Sequence, residues 1–142
     1  MILIDTNVIS EPLRKAPAPG VVAWLDAQPL EILHLSAVTV AELRFGVAAM
    51  PDGKRRDFLD TQLEQRVLPL FFGRIAAFDL NATRHYAALA AALRSRGLSI
   101  GMADAYIAAI ALANSFTIAT RDTGPFLAAG LTVIDPWNDA HS

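Results

Sequence analysis

The sequence contains no cysteine, which excludes disulfide bridges, zinc–thiolate sites and catalytic thiols. It also lacks any run of about 18 apolar residues, the length of a membrane-spanning helix, because the nearest candidate, Ile100–Ala113, is shorter and contains Asp104. Positive charge is not in excess, since 12 Lys and Arg stand against 14 Asp and Glu for a formal net charge of −2. Residues Met1–Asp5 place an acid where a secretory signal has a basic start. We therefore expect a soluble cytoplasmic protein. Its overall charge is less basic than that of many nucleic-acid binders, although acids gathered in one metal site would leave the remaining surface more basic than the total.

The 142 residues are 54% hydrophobic, which predicts one domain spanning residues 1–142 with a substantial core. Short apolar runs typical of strands alternate with longer segments whose apolar positions repeat every 3.6 residues. Strands are predicted at Met1–Ile4, Ile32–Leu35, Ile75–Phe78, Thr117–Ala119 and Thr132–Ile134, and helices at Val21–Gln28, Val40–Ala49, Arg56–Leu68, Ala82–Arg96, Met102–Ala113 and Pro125–Ala129. This alternation predicts an α/β fold in which a parallel sheet is covered by helices on both faces.

Local signals punctuate these elements. Pro17–Gly20 is typical of a loop, and Gly97 is typical of a helix end. Asp79 follows a strand and precedes a helix, so we expect it to cap that helix. The basic run Lys54–Arg56 is either a solvated helix start or a phosphate contact.

Two acids follow predicted strands from distant parts of the chain. Asp5 comes directly after the first strand, and Asp122 comes shortly after the fourth. In an open parallel sheet, ligands bind at the crevice formed by the carboxyl ends of the strands. We therefore expect Asp5 and Asp122 to converge there.

Asp104 and Glu42 each have a structural and a functional interpretation. Asp104 lies in a helix that is apolar on nearly every face, where it either favours the positive end of the helix dipole or binds a metal. Glu42 ends the pattern Thr39-Val-Ala-Glu42, which is typical of a capping box, but it also lies near the same sheet edge.

Four carboxylates in one crevice repel each other unless some are protonated or a divalent cation joins them. Because all the ligands would be oxygens, the expected cation is Mg²⁺ or Mn²⁺. The other candidate residues are interpreted as structural: the isolated histidines His34 and His85, and the tryptophans Trp24 and Trp137, which we expect to be packing residues rather than platforms for nucleic-acid bases.

The ordered motifs of the chain resemble those of the PIN-domain family, in particular the VapC-type toxins. These motifs are Ile2–Asn7, Ser36–Glu42, Ala103–Ala109 and Ala119–Asp122. Further segments resemble the FitB branch of that family: Asp5–Arg14, Thr39–Arg44, Leu68–Phe71, Gly73–Ile75, Ala119–Gly124 and Asp135–Trp137. The resemblance spans nearly the whole chain.

The resemblance implies a three-layer α/β/α domain with a five-stranded parallel sheet, and endoribonuclease activity that depends on Mg²⁺ or Mn²⁺. The implied acidic quartet is Asp5, Glu42, Asp104 and Asp122, and the implied supporting residues are Thr6, Asn7 and Thr120. Such a protein would be the toxin of a type II toxin–antitoxin pair and would form a homodimer. Its antitoxin would be of the ribbon-helix-helix type, would occupy a groove beside the acids, and would carry the pair to operator DNA.

Plausible walls of that groove are Val8–Leu13, Val21–Leu25 and Phe58–Leu68, although the same residues suit an ordinary core. The alternative is a mainly non-catalytic partner of the antitoxin in an operator-binding complex. The intact acids favour catalysis.

Overall fold

The structure, a computed structural model, describes the backbone of residues 1–139 and the side chains of residues 1–138. A parallel sheet of five strands forms its centre: β1 (Ile2–Ile4), β2 (Leu33–Ser36), β3 (Ile75–Ala76), β4 (Thr117–Ala119) and β5 (Val133–Ile134). Their order across the sheet is β3-β2-β1-β4-β5. The chain therefore builds one half of the sheet outward from β1 through β2, then returns to the other side of β1 with β4. Such a reversal opens a crevice at the carboxyl ends of the two central strands.

The described residues include eight α-helices. They are α1 (Thr6–Ile9), α2 (Pro19–Ala27), α3 (Ala37–Ala48), α4 (Lys54–Thr61), α5 (Leu80–Ser95), α6 (Met102–Ala113), α7 (Thr123–Ala128) and α8 (Pro136–Asp139). None of the helices in this part of the chain is long and apolar enough to cross a membrane.

The residues of β1 divide between two hydrophobic cores, one on each face of the sheet. Ile2 and Ile4 belong to the core that includes α2 and α3, whereas Leu3 belongs to the core that includes α5, α6 and α7. Successive strand residues point to opposite faces, so a fully apolar strand must be covered on both. This arrangement confirms the three-layer fold and the five-stranded parallel sheet.

Several helix boundaries differ from those predicted. Pro19 occupies the first turn of α2, where its missing N–H costs no hydrogen bond, so the interpretation of Pro17–Gly20 as a loop was wrong for its second half. The helix predicted at Arg56–Leu68 is divided: α4 continues as a π-helical turn at Gln62–Val67 and a 3₁₀ turn at Leu68–Phe71. Pro69 lies in that last turn and cannot continue an α-helix.

Other local predictions are confirmed. Asp79 caps α5, accepting a hydrogen bond of 2.9 Å from the backbone N–H of Ala82. Gly97 follows α5 with φ of +70°, a conformation that glycine adopts without strain. The run that begins with Lys54 is the first turn of α4, where Arg56 pairs with Asp52.

Candidate active site

Asp5 lies at the carboxyl end of β1 and is almost completely buried, with 4% of its surface exposed. Its Oδ1 accepts a hydrogen bond from the Thr6 backbone N–H at 2.8 Å, and its Oδ2 accepts one from Thr120 Oγ1 at 2.8 Å. The Asn7 amide lies 3.5 Å from the same Oδ2. Asp5 is thus fixed in orientation by the start of α1 and by the strand beside it.

Burial raises the pKa of Asp5 from 3.8 to about 6, since a carboxylate loses hydration in the crevice. The hydrogen bonds from Thr120 and Thr6 act in the opposite direction. The negative charges of Asp104 and Glu42 raise the pKa further. The pKa of Asp5 is therefore coupled electrostatically to two of the other predicted acids.

Glu42 is connected to this site through a hydroxyl group. Thr6 Oγ1 donates a hydrogen bond of 2.6 Å to Glu42 Oε1 and lies 3.1 Å from Thr39 Oγ1. Glu42 itself is exposed on the second turn of α3. The contact places an exposed carboxylate next to Thr6, whose backbone N–H donates to Asp5, the N-cap of α1.

The capping-box interpretation of Thr39 and Glu42 was wrong. Helix α3 begins at Ala37, three residues before its predicted start at Val40, and Ser36 is its N-cap. Ser36 Oγ accepts a hydrogen bond of 2.9 Å from the Thr39 backbone N–H. Glu42 has no capping role, so its position near Thr6 requires another explanation.

Asp104 lies in the first turn of α6 and is half-buried. Its pKa is raised, mainly by burial and then by the negative charges of Asp122 and Glu42. Within the described side chains, no hydrogen-bond donor or arginine satisfies Asp104. An acid that is partly desolvated, unpaired and close to other acids is well suited to a cation.

Asp122 occupies the N-cap position of α7, but its side chain makes no capping hydrogen bond and is exposed. Its backbone N–H donates to Thr120 Oγ1 at 3.1 Å, and the backbone N–H of Arg121 donates to Asn7 Oδ1 at 3.2 Å. Thr120 also donates to Asp5, so one buried hydroxyl connects the segments that carry Asp5 and Asp122.

The charges of the four acids influence one another, but the carboxylates do not form a closed metal cage. In residues 1–138, no group of three Asp, Glu or His side chains could hold a metal ion as arranged. Like charges favour separation, and Glu42 and Asp122 are exposed side chains that can rotate. The donor set suits a hard divalent cation, since it contains only oxygen.

A groove of about 370 Å³ begins beside these acids, at Thr6 and Glu42. Its further walls are mostly apolar side chains from the 3₁₀ turn at Glu11–Leu13, from α3 and the loop that follows it, from α4, and from the π-helical turn: Leu13, Leu43, Val47, Met50, Leu59 and Leu63. Arg14 and Arg55 also line it, although Arg14 pairs with Glu11 and Arg55 donates to the backbone oxygen of Leu13.

The sequence reasoning missed two features near the acids. One is the hydroxyl of Thr39, which was assigned to helix capping but lies beside Thr6. The other is Arg121, whose guanidinium lies 4.8 Å from the centre of the Trp137 ring. Its place between Thr120 and Asp122 was a signal in the sequence, but its contact with Trp137 depends on the tertiary fold.

Comparison with known proteins agrees with this architecture. Residues 2–130 match the PIN domain. The plasmid stability protein StbB of Pseudomonas syringae pv. tomato is 61% identical over 96% of this chain and 99% of its own length. The VapC ribonuclease Y4jK of Sinorhizobium fredii is 57% identical (99% and 100%), and the toxin FitB of Neisseria gonorrhoeae is 54% identical (98% and 100%).

Solved structures of related proteins also superimpose on this fold. The crystal structure of FitAcB from Neisseria gonorrhoeae superimposes with a TM-score of 0.94 at 54% identity, covering 97% of this chain and 99% of that one. A structure of VapBC2 from Rickettsia felis, bound to a DNA fragment from its promoter, gives 0.73 at 26% identity, covering 94% and 98%. The fold is that of a PIN domain. This chain belongs to the PIN-domain family, and its relatives include VapC ribonucleases and the toxin FitB.

Proposed function

We propose that the protein is the toxin of a type II toxin–antitoxin pair and acts as an endoribonuclease that depends on Mg²⁺ or Mn²⁺. The observation that carries the proposal is the buried carboxylate of Asp5, whose pKa is raised to about 6 and which senses the charges of Asp104 and Glu42. Such a cluster of acids is favourable when a divalent cation is bound among them. The names of the relatives, VapC ribonuclease and toxin FitB, support the same activity.

The proposed metal ligands are the carboxylates of Asp5, Asp104, Asp122 and Glu42. A bound Mg²⁺ or Mn²⁺ would supply an activated water for attack on the phosphodiester and neutralise the charge that develops on the phosphate. The protein's own contribution is orientation: Thr120 and the Thr6 backbone hold the two oxygens of Asp5, and Asn7 supports the segment that leads to Asp122.

The groove beside Thr6 and Glu42 is the proposed docking site for the antitoxin. Its apolar walls suit the apolar face of a helix from a partner protein, and its lining includes Glu42, one of the four acids. An antitoxin arginine that entered the cluster would replace the cation's charge and inhibit cleavage. We propose an antitoxin of the ribbon-helix-helix type, contact with operator DNA only through it, and a homodimeric toxin that acts on cytoplasmic RNA. The Rickettsia relative bound to promoter DNA supports the DNA part.

The central experiment measures cleavage of total RNA by the purified protein with Mn²⁺, with Mg²⁺ and with EDTA. Asp104→Asn is the inactivating variant, and Asp60→Asn is the matched control, since Asp60 is an exposed acid on α4 outside the quartet. We expect cleavage by the wild type and by Asp60→Asn that requires the metal, and none by Asp104→Asn. Cleavage that persists in EDTA or in Asp104→Asn would refute the assigned chemistry.

Expression in bacteria separates catalysis from partner binding. If the protein is a ribonuclease toxin, its expression without antitoxin arrests growth, and Asp5→Asn or Asp104→Asn abolishes the arrest. If both variants still bind the antitoxin and growth arrest is unchanged, the protein acts as a binding partner instead.

A further inference from the structure

Arg121 is an exposed cation within a strongly acidic neighbourhood. It lies between Thr120, which holds Asp5, and Asp122, which is itself one of the four predicted ligands. In residues 1–138, no carboxylate lies within ion-pair distance of its guanidinium, although Asp122 is its neighbour in sequence. An arginine beside several acids normally forms an ion pair with one of them, so its orientation must be determined by another contact.

That contact is the ring of Trp137 in α8, whose centre lies 4.8 Å from the guanidinium carbon. This distance is typical of a cation–π interaction. Trp137 is itself fixed, because its ring packs against the hydrophobic core and its backbone N–H donates to Asp135 Oδ1 at 3.0 Å. The backbone of Arg121 is held as well, through its N–H bond to Asn7 Oδ1.

Stacking uses the face of the guanidinium and leaves the N–H groups along its edge available. A planar guanidinium with a free edge binds the oxygens of a phosphate through two parallel hydrogen bonds. The other arginines close to the site are less available, since Arg14 pairs with Glu11 and Arg55 donates to Leu13. They also line the groove at Glu42, whereas Arg121 lies on the opposite side, after β4.

We propose that Arg121, held on the ring of Trp137, is a substrate-binding residue that contacts an RNA phosphate adjacent to the one cleaved. The inference depends on the proposed ribonuclease function and adds to it a binding contact on the β4–β5 side of the acids. It also gives the acidic site a cation that attracts the RNA backbone. Trp137 acts through Arg121 and is a positioning residue.

The test measures equilibrium binding of a fluorescein-labelled, mixed-sequence, single-stranded RNA of 12 nucleotides to Asp104→Asn protein in Mg²⁺. Arg121→Ala is compared in this background with Arg94→Ala, which removes the same charge from an exposed arginine. Arg94 lies about 21 Å along α5 from its start at Leu80, away from the carboxyl edge of the sheet. Unfolding in urea checks that each variant is folded.

We expect Arg121→Ala to weaken binding about tenfold, the size expected for a charge-assisted hydrogen bond. The slope of log Kd against log salt concentration should also fall by about 0.7, the value for one phosphate of a single strand. Arg94→Ala should change neither. Arg121→Lys should keep the salt slope but bind less tightly, because it lacks the planar fork. Trp137→Leu should weaken binding several-fold with the slope unchanged, since the charge remains.

Cleavage kinetics without the Asp104 substitution distinguish contact with RNA from an indirect effect on the metal site. A phosphate contact predicts a higher KM for Arg121→Ala and a smaller change in kcat. Several results would overturn the inference: equal binding by Arg121→Ala and Arg94→Ala, unchanged binding by Trp137→Leu, a loss confined to kcat, or a loss confined to antitoxin affinity. If the wild type does not cleave RNA and the Asp104→Asn protein does not bind it, the proposed function itself is wrong.

Discussion

The raised pKa of Asp5 has a measurable consequence for stability. Its value of about 6 in the folded protein lies above the ordinary value of 3.8, so the folded state binds this proton more tightly than the unfolded state does. The contribution of Asp5 to the free energy of unfolding is therefore fully present at acid pH. It decreases as pH rises from 3.8 through 6, in contrast to an acid held in an ion pair.

The expected magnitude follows from the size of the shift. The difference between about 6 and 3.8, at 1.36 kcal/mol per pKa unit, corresponds to about 3 kcal/mol. Replacing Asp5 by Asn removes this titration. Asn cannot reproduce every hydrogen bond that the carboxylate accepts, so the absolute stability of Asp5→Asn also contains a constant loss. The way this stability difference changes with pH does not depend on that constant loss.

The assay is urea unfolding followed by tryptophan fluorescence, in EDTA, from pH 3.5 to pH 7.5. Trp24 and Trp137 both pack against the core and report unfolding. As pH rises across this range, the free energy of unfolding of Asp5→Asn should increase by about 3 kcal/mol relative to that of the wild type. Most of this change should occur between pH 4 and pH 6. Asp60→Asn, which changes an exposed acid of α4, is the control for the substitution itself. A difference for Asp5→Asn that does not change with pH would refute the reasoning.

Three other predictions concern metal binding and the fold. At pH 7.5, Mn²⁺ at ten times its Kd should stabilise the wild type by about 1.4 kcal/mol in urea unfolding. It should not stabilise Asp5→Asn, and equal stabilisation of both proteins would exclude Asp5 as a ligand. Ser36→Ala should cost about 1 kcal/mol by the same assay, because Ser36 caps α3. Glu42→Gln should cost a few tenths of a kcal/mol at most. A larger loss for Glu42→Gln than for Ser36→Ala would mean that the capping-box interpretation is correct after all. Leu3→Ala should cost about 2–5 kcal/mol, since Leu3 is fully buried in the central strand, and a smaller loss would mean that the core around it is loosely packed.

Much of the fold was predictable because its signals are local and repeated. The apolar runs of β1 and β4 are buried on both faces, and α6 continues an apolar repeat over 12 residues. Short helices were missed for the converse reason. Each of α1 and α8 has four residues, which is about one turn and too few to show a period.

The candidate site was predictable in its residue types and only partly in its contacts. The positions of Asp5 and Asp122 after strands favoured a shared crevice, and their assignment as metal ligands stays a prediction. The cap of α3 shows where local patterns fail. Ser36 and Thr39 are both good capping residues, and which of them ends the strand and begins the helix is determined by how β2 packs.

The sequence by itself determined the strand–helix order, the apolar faces and the four carboxylates, because these depend on residue type and spacing along the chain. Only the tertiary structure decided that Thr120 holds Asp5, that Thr6 contacts Glu42, and that the chain near Asp122 places Arg121 on Trp137. The first two contacts join residues more than 30 positions apart. Their geometry depends on the register of neighbouring strands and the packing of helices on the sheet, and no local pattern encodes either.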